Sequence, residues 1–392
     1  MNEPSLLTYL KNLFMNKFSW IILTLMLIII ETSAQPSTGD VTDIVTVDEL
    51  AENSLYDKIW QPYLTHWDAQ TYVIAYSRQL KGKVDMGDIV CSVSRDQGKT
   101  WGVPITIFDS QLPNGTQQFA YANAVLYKDP EQDIIWCFAM RTPRYYRNSE
   151  ESEMVAAYSG DGGLTWFPIE LMIDHHSPII TIAGVKKLPE GDGARYLLPV
   201  HRNTKHADPH GDRRQFVLES RDLMHWKLAG YVPLPEPKVF LHEGNIAEGS
   251  KPGELKMVTR TATYEDYKQL DPPVAYSSVS TDGGRTWSTA QPEPELYNAV
   301  AKAFFGKDSL GNHIYVYSSG PAWERKELWY KIKPPNREWS EARKFYFDNN
   351  RNSYPTLIEE KAGEWLCTWD SSNDPDRKRT VIRFGRLRTK EN

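Results

Sequence analysis

Ser94-Arg95-Asp96-Gln97-Gly98-Lys99-Thr100-Trp101, Ser159-Gly160-Asp161-Gly162-Gly163-Leu164-Thr165-Trp166 and Ser280-Thr281-Asp282-Gly283-Gly284-Arg285-Thr286-Trp287 spell one pattern three times, Ser-x-Asp-x-Gly-x-Thr-Trp. A shortened copy, Ser220-Arg221-Asp222-Leu223-Met224-His225-Trp226, stands between the second and third. These residue types describe a hairpin turn: the carboxylate accepts bonds from backbone amides, glycine takes a positive φ, and Trp packs on the sheet. The Asp positions step by 65, 61 and 60 residues, and Arg337-Glu338-Trp339 sets a fifth Trp 52 residues beyond Trp287. Four-stranded blades need about 40 to 50 residues plus loops. The spacing therefore predicts an all-β fold, a six-bladed β-propeller with the boxes as its hairpin turns.

Between the boxes lie short strand-like runs: Tyr72-Val73-Ile74-Ala75-Tyr76, Ile134-Ile135-Trp136-Cys137-Phe138, Tyr196-Leu197-Leu198-Pro199-Val200, Leu255-Lys256-Met257-Val258-Thr259 and His313-Ile314-Tyr315-Val316-Tyr317. Turn residues bracket each of them. Long amphipathic helical periodicity is missing, which argues against an α/β fold. The last strand, Val381-Ile382-Arg383-Phe384-Gly385, is expected to pair within the blade begun by the mature N-terminus, a closure that protects sheet edges.

The first 34 residues read as a signal peptide, and 35–392 as the propeller domain. Lys11 and Lys17 give a positive region, Trp20 to Ile30 an apolar run too short to span a bilayer comfortably, and Thr32-Ser33-Ala34 a cleavage site before Gln35. Met15, directly ahead of a better-proportioned signal, competes with Met1 as the start. A secreted or periplasmic location is expected, with no stable membrane insertion after signal removal. An uncleaved anchor is the competing reading.

A net charge of −6, with no basic run, excludes nucleic acid as an expected partner. Cys91, Cys137 and Cys367 are widely separated, so at most one disulfide could form, and each sits in an apolar run that suits a buried free thiol. A closed propeller needs no partner to bury its core, so a monomer is expected. No cofactor is expected.

The boxes at this spacing resemble those of the sialidase and BNR-repeat superfamily across nearly the whole mature chain. Sialidases remove a carboxylated sugar with a tyrosine nucleophile, a partner glutamate, an acid/base aspartate and three arginines that clamp the substrate carboxylate. A neutral tyrosine avoids the repulsion that a carboxylate nucleophile would meet. Its ordinary pKa of about 10 means that it needs a base beside it.

Several segments here match that pattern. Asn352-Ser353-Tyr354-Pro355-Thr356-Leu357 resembles the last-blade tyrosine segment, which gives Tyr354 the nucleophile's place. His242-Glu243-Gly244-Asn245, followed by Met257-Val258-Thr259-Arg260, resembles the segment with the partner glutamate and an arginine, implying Glu243 and Arg260. Arg325, in Pro321-Ala322-Trp323-Glu324-Arg325, falls where another clamp arginine is expected, with Arg351 as an alternative. Asp85 lies where an acid/base aspartate would be, and Asp88 competes with it. The family's Arg-Ile-Pro segment has no match, since the comparable stretch reads Trp60-Gln61-Pro62. Gln61 cannot give a carboxylate the charged fork that Arg gives. Gln61 and Arg78 complete the candidate substrate contacts on the first blade.

The stretch from His201 to Arg214 concentrates His and Arg after a strand, which makes His201 and Arg202, with His242, candidate contacts to substrate anions. His201 could alternatively act as a base in an elimination. The spacing matches no zinc motif, so no metal is expected. These residues lead to a secreted exo-acting glycosidase that degrades an anionic glycan. A polysaccharide lyase acting on a uronate and a non-catalytic carbohydrate-binding propeller remain the alternatives.

Overall fold

The computed structural model describes residues 39–389 except 83–86, 112–114, 116–118, 144–150, 176–177, 191–192, 204–212, 322–323 and 373–378. The proposed signal at 1–34 and the candidate Asp85 therefore lie outside the described residues. Among those described there is no helix, and none long and apolar enough to cross a membrane. The described residues form twenty-six strands, nearly all antiparallel to their neighbours. Each strand-like run read from the sequence falls within a strand or starts one residue before it: Tyr72–Leu80, Ile135–Pro143, Gly193–Arg202, Leu255–Thr263 and His313–Ser318.

Among the described residues hydrogen bonding gives five sheets, not the expected six separate ones. The reason is local. Tyr56–His66, Tyr72–Leu80, Gly87–Ser94 and Ile105–Phe108 form one four-stranded array, and Phe119–Lys128, Ile135–Pro143, Glu153–Ser159 and Phe167–Ile169 form another. A single pairing, Gly87 with Tyr121, fuses them into one eight-stranded sheet. A six-stranded sheet around Gly193–Arg202 follows, then four-stranded sheets spanning Val239–Tyr297 and Phe304–Tyr346. The last sheet joins Asn352–Lys361, Glu364–Ser371 and Val381–Arg388 to Thr42–Glu49 from the N-terminal end. The expected closing pairing is thus present.

The arrangement is propeller-like, because each array packs its face on the next through its own apolar core. Val73, Cys91 and Ile135 share one such core; Phe138, Leu198 and Phe216 another; Leu197, Leu241 and Met257 a third. Val258, Phe305 and Tyr315 continue the series, then Val316, Leu328 and Trp369. Ile74, Leu366 and Phe384 bring the last sheet onto the first. Alternate side chains of each strand feed opposite cores, as the two-residue period of a strand requires.

The boxes fasten these interfaces. In the first, Ser94 Oγ donates to Asp96 (2.8 Å) and accepts from Gly98 N–H (2.8 Å), Thr100 donates through N–H (2.9 Å) and Oγ1 (2.6 Å) to Asp96, and Trp101 Nε1–H donates to Gly98 C=O (3.1 Å). The same set recurs at Asp161 and Asp282. In the shortened copy Leu223 takes φ 67° in the glycine's place and His225 bonds Asp222 where Thr stands elsewhere. Gly98, at φ 84°, leaves no room for a side chain, since a Cβ there would stand 2.3 Å from Phe384 in the last sheet. Trp339 has no box, yet it packs with Val258 and Ala275 of the preceding sheet as the box tryptophans do. Cys91, Cys137 and Cys367 are buried free thiols divided between two of the inter-sheet cores.

Candidate active site

Several first strands contact one another, Tyr56–His66 with both Phe119–Lys128 and Asn352–Lys361, and Phe304–Lys307 with both Val239–Glu248 and Asn352–Lys361, and several carry the same defect. Pairing slips by a β-bulge between Trp60 and Tyr63, Ala122 and Val125, His242 and Asn245, and Ser353 and Thr356. Inside each slip sits one non-glycine residue of positive φ: Gln61 (54°), Asn123 (60°), Glu243 (52°) and Tyr354 (52°). Val300 (50°) precedes the first strand of the fifth array, Phe304–Lys307. Pro62 and Pro355 follow two of these residues and have no N–H to give a ladder, so pairing is interrupted there. A bulge bends its strand and re-aims a side chain. A left-handed non-glycine residue costs about 1–3 kcal/mol, which the surrounding packing must hold in place.

Two of these re-aimed residues meet. Arg260, from the strand Leu255–Thr263, donates from one nitrogen, Nη1, to Glu243 Oε1 (2.8 Å) and to Tyr354 Oη (3.4 Å). Its Nη2 donates to Tyr267 Oη (2.9 Å). Burial works against the charge on Arg260, but Glu243, with Tyr267 and Tyr354 behind it, outweighs burial and raises its pKa. Glu243 Oε2 is buried with no hydrogen-bond partner among the described residues. Tyr354 is 4 % exposed and packs with Trp60 (rings edge to face, 5.9 Å) and Ile182. Arg325 stands over the Tyr354 ring at 5.3 Å and donates to Val300 C=O (2.9 Å). Burial lowers the Arg325 pKa, with Arg379 and Arg260 adding repulsion.

The histidines form the flank of the same group. His201 and His242 meet edge to face at 5.5 Å, and His242 also meets Tyr267 at 5.5 Å. Burial pushes His201 down to about 4 and His242 well below its usual value, with Arg260 and His201 reinforcing the second shift. Both imidazoles are therefore neutral near pH 7. Neither nitrogen of His242 has a hydrogen-bond partner among the described residues.

Other candidates are engaged elsewhere. Asp88 is buried and accepts from Tyr56 Oη and from Ser110 N–H (2.8 Å). Arg78 pairs with Asp48 (3.1 Å) and stacks on Tyr56 (5.4 Å). Arg202 is fully buried beside His201 and opposite Arg214 in the neighbouring strand. Arg351 is partly buried, and the alternative to it, Arg325, stands on the Tyr354 ring. Gln61 is buried, donates its backbone N–H to Asp370 Oδ2 (3.0 Å), and leaves its Oε1 with no hydrogen-bond partner among the described residues.

Sequence reasoning missed Tyr267, Lys302, Asp370 and Arg379. Lys302 had a signal, since it is the one charged residue in Ala299-Val300-Ala301-Lys302-Ala303-Phe304-Phe305. It is buried and donates to Pro355 C=O (3.2 Å), directly after the nucleophile candidate, and burial pushes it down to about 8 against the pull of Glu243 and Asp370. Asp370, fully buried, accepts from Ser353 Oγ as well as from Gln61 N–H, so it ties the first bulge to the last. With Arg260, Arg325, Arg379 and Lys302 against Glu243 and Asp370, the group holds more positive than negative charge. That excess suits an anion.

A sequence model of the BNR repeat-like domain matches residues 72–367. No curated protein matches the chain in sequence. In structure the chain is similar to a Dyadobacter fermentans protein titled as of unknown function (18 % identity, TM-score 0.62, covering 88 % of this chain and 99 % of that one). It is also similar to a Hadza microbial sialidase (18 % identity, TM-score 0.66, 88 % and 68 %). A third likeness is to the intramolecular trans-sialidase of Ruminococcus gnavus in complex with oseltamivir carboxylate (14 % identity, TM-score 0.65, 88 % and 97 %). At these identities the likeness is one of fold, that of the sialidase propellers, and the sequence match places the chain in the BNR repeat-like family.

Proposed function

We propose that this protein is an exported glycoside hydrolase of the sialidase type, removing an anionic sugar from the non-reducing end of a glycan. The observation that carries the reading is the shared nitrogen: Arg260 Nη1 bonds both the Glu243 carboxylate and the Tyr354 hydroxyl. In this reading Tyr354 Oη attacks the anomeric carbon while Glu243 takes the phenolic proton through its unpartnered Oε2. The glycosidic bond breaks, and its oxygen takes a proton from an acid, the role we assign to Asp85. Water then releases the sugar and the phenol recovers its proton. Arg260 and Arg325 hold the substrate anion and stabilise charge developing in a site shielded from water. Counting the two halves of the eight-stranded sheet as separate blades gives six around the ring, and residues 1–34 act as the export signal.

Replacing Tyr354 by Phe removes one hydroxyl and tests the reading. Turnover on a panel of sialylated, uronate-containing and sulfated glycans is expected to fall by about 10³-fold or more while circular dichroism and melting temperature hold. Retained activity in that variant overturns the nucleophile assignment. The neutral His201 and His242 beside Glu243 favour a second reading, a lyase in which an imidazole takes a proton from a uronate. Products absorbing in the ultraviolet as unsaturated uronates would select it.

A further inference from the structure

We infer that Arg379 completes the anion clamp that the first sheet leaves uncharged at Gln61, and so commits the site to carboxylated sugars. The inference rests on the glycan reading above and deepens it. Gln61 occupies the first bulge with a neutral amide whose Oε1 is buried without a hydrogen-bond partner among the described residues. Arg379, 318 residues later, comes to the same place from the stretch just before the closing strand Val381–Arg388. Its backbone C=O accepts from Ile59 N–H (2.8 Å), which pins it beside that bulge. Its guanidinium lies over the rings of both Trp60 (5.4 Å) and Tyr354 (5.0 Å).

Among the described residues Asp370 is the carboxylate that pairs with it, but their contact is loose. Arg379 Nη1 stands 3.6 Å from Asp370 Oδ2, beyond ordinary hydrogen-bond length, and that oxygen already accepts from Gln61 N–H. Nη1 is buried with no hydrogen-bond partner among the described residues. A guanidinium carries five donors in a planar fork, and a buried donor left without an acceptor costs about 1–3 kcal/mol. A ligand oxygen within reach of Nη1 would relieve that cost. Arg260 and Arg325 reach the same phenol from other sheets, so three guanidiniums surround one ring. A planar carboxylate, which takes bidentate bonds from such forks, is the ligand group that this geometry fits. The side chain of Arg379 is 11 % exposed against 3 % for Arg260, so it is the more accessible of the two.

Titration calorimetry of the full-length mature protein tests this with N-acetylneuraminic acid and glucuronic acid, each against its uncharged methyl ester. Arg379→Gln is expected to weaken binding of a free acid by about tenfold or more and leave the ester unchanged, with Arg379→Lys in between, because it keeps charge and loses the fork. Equal losses for acid and ester mean a structural role and overturn the inference. So does an unchanged acid affinity in Arg379→Gln, or failure of the unaltered protein to bind either acid. If acid binding depends on Arg379 while no glycan is turned over, the hydrolase reading fails and the clamp stands.

Discussion

The box turns and the bulged first strands repeat around the same ring, but they repeat different things. Asp96, Asp161 and Asp282 repeat a sequence, and the same hydrogen bonds follow from it each time. Gln61, Asn123, Glu243 and Tyr354 repeat only a geometry, a left-handed residue inside a slipped register, and their side chains are all different. The turns are satisfied within themselves and lie near solvent. The bulges are buried, and Glu243, Gln61 and Asn123 each keep a side-chain oxygen without a hydrogen-bond partner among the described residues. The contrast separates two tasks. The turns lock one sheet to the next, whereas the bulges deliver unlike groups from distant sheets to one place. Incomplete satisfaction on the site side is what a preorganised pocket for a polar ligand requires.

Breaking the bulge side is expected to cost most. Glu243→Ala leaves Arg260 buried without its carboxylate, which predicts a loss of about 3–5 kcal/mol in urea unfolding. A loss below 1 kcal/mol would show that Arg260 is well solvated in solution and that the site is more open than described. His201 sharpens the same side through pH. Its folded value of about 4 lies below the ordinary value of about 6.5, so the unfolded chain binds more protons between them. Stability is whole above about pH 6.5 and falls as pH drops toward 4, by on the order of 3 kcal/mol. His201→Gln should flatten that part of the profile, and an unaltered slope would place the titration elsewhere.

The turn side is expected to respond by smaller steps. Gly98→Ala forces a side chain into positive φ and against Phe384, predicting a loss of about 2–3 kcal/mol. Gly82→Ala shares the positive φ but meets nothing within 4 Å, so about 1 kcal/mol is expected. Equal losses would mean that the contact with Phe384 contributes nothing to ring closure. The smallest effect belongs to Asp96, whose carboxyl is held down to about 2 by the Thr100 hydroxyl and then its amide. Its contribution is whole above about pH 4 and disappears as pH falls through about 2, and Asp96→Asn should remove that low-pH component from a melting profile.

How much was legible in the sequence follows from the same contrast. Ser-x-Asp-x-Gly-x-Thr-Trp acts within eight residues, so the all-β ring and the strand after each turn were readable directly. The sheet count was not, because the fusion at Gly87 and Tyr121 depends on how two arrays approach. Tyr354, Glu243, Arg260 and Arg325 were named from short segments that resemble a family's, and the structure brings these four together. Asp370 and Arg379 escaped because their meaning appears only when the ring closes and the last sheet meets Gln61. Arg78 and Asp88 have the residue types that such a site uses, and the fold also gives them local partners, Asp48 for Arg78 and Tyr56 and Ser110 for Asp88.

In the proposed reaction Tyr354 forms a bond to the sugar while Glu243 holds its proton. Rapid acid quenching during turnover of a reactive glycan, followed by peptide mass mapping, measures this directly. A glycosyl adduct is expected on the peptide that contains Tyr354, absent from Tyr354→Phe. An actively turning enzyme whose Tyr354 peptide stays unmodified, with full activity in Tyr354→Phe, would contradict it.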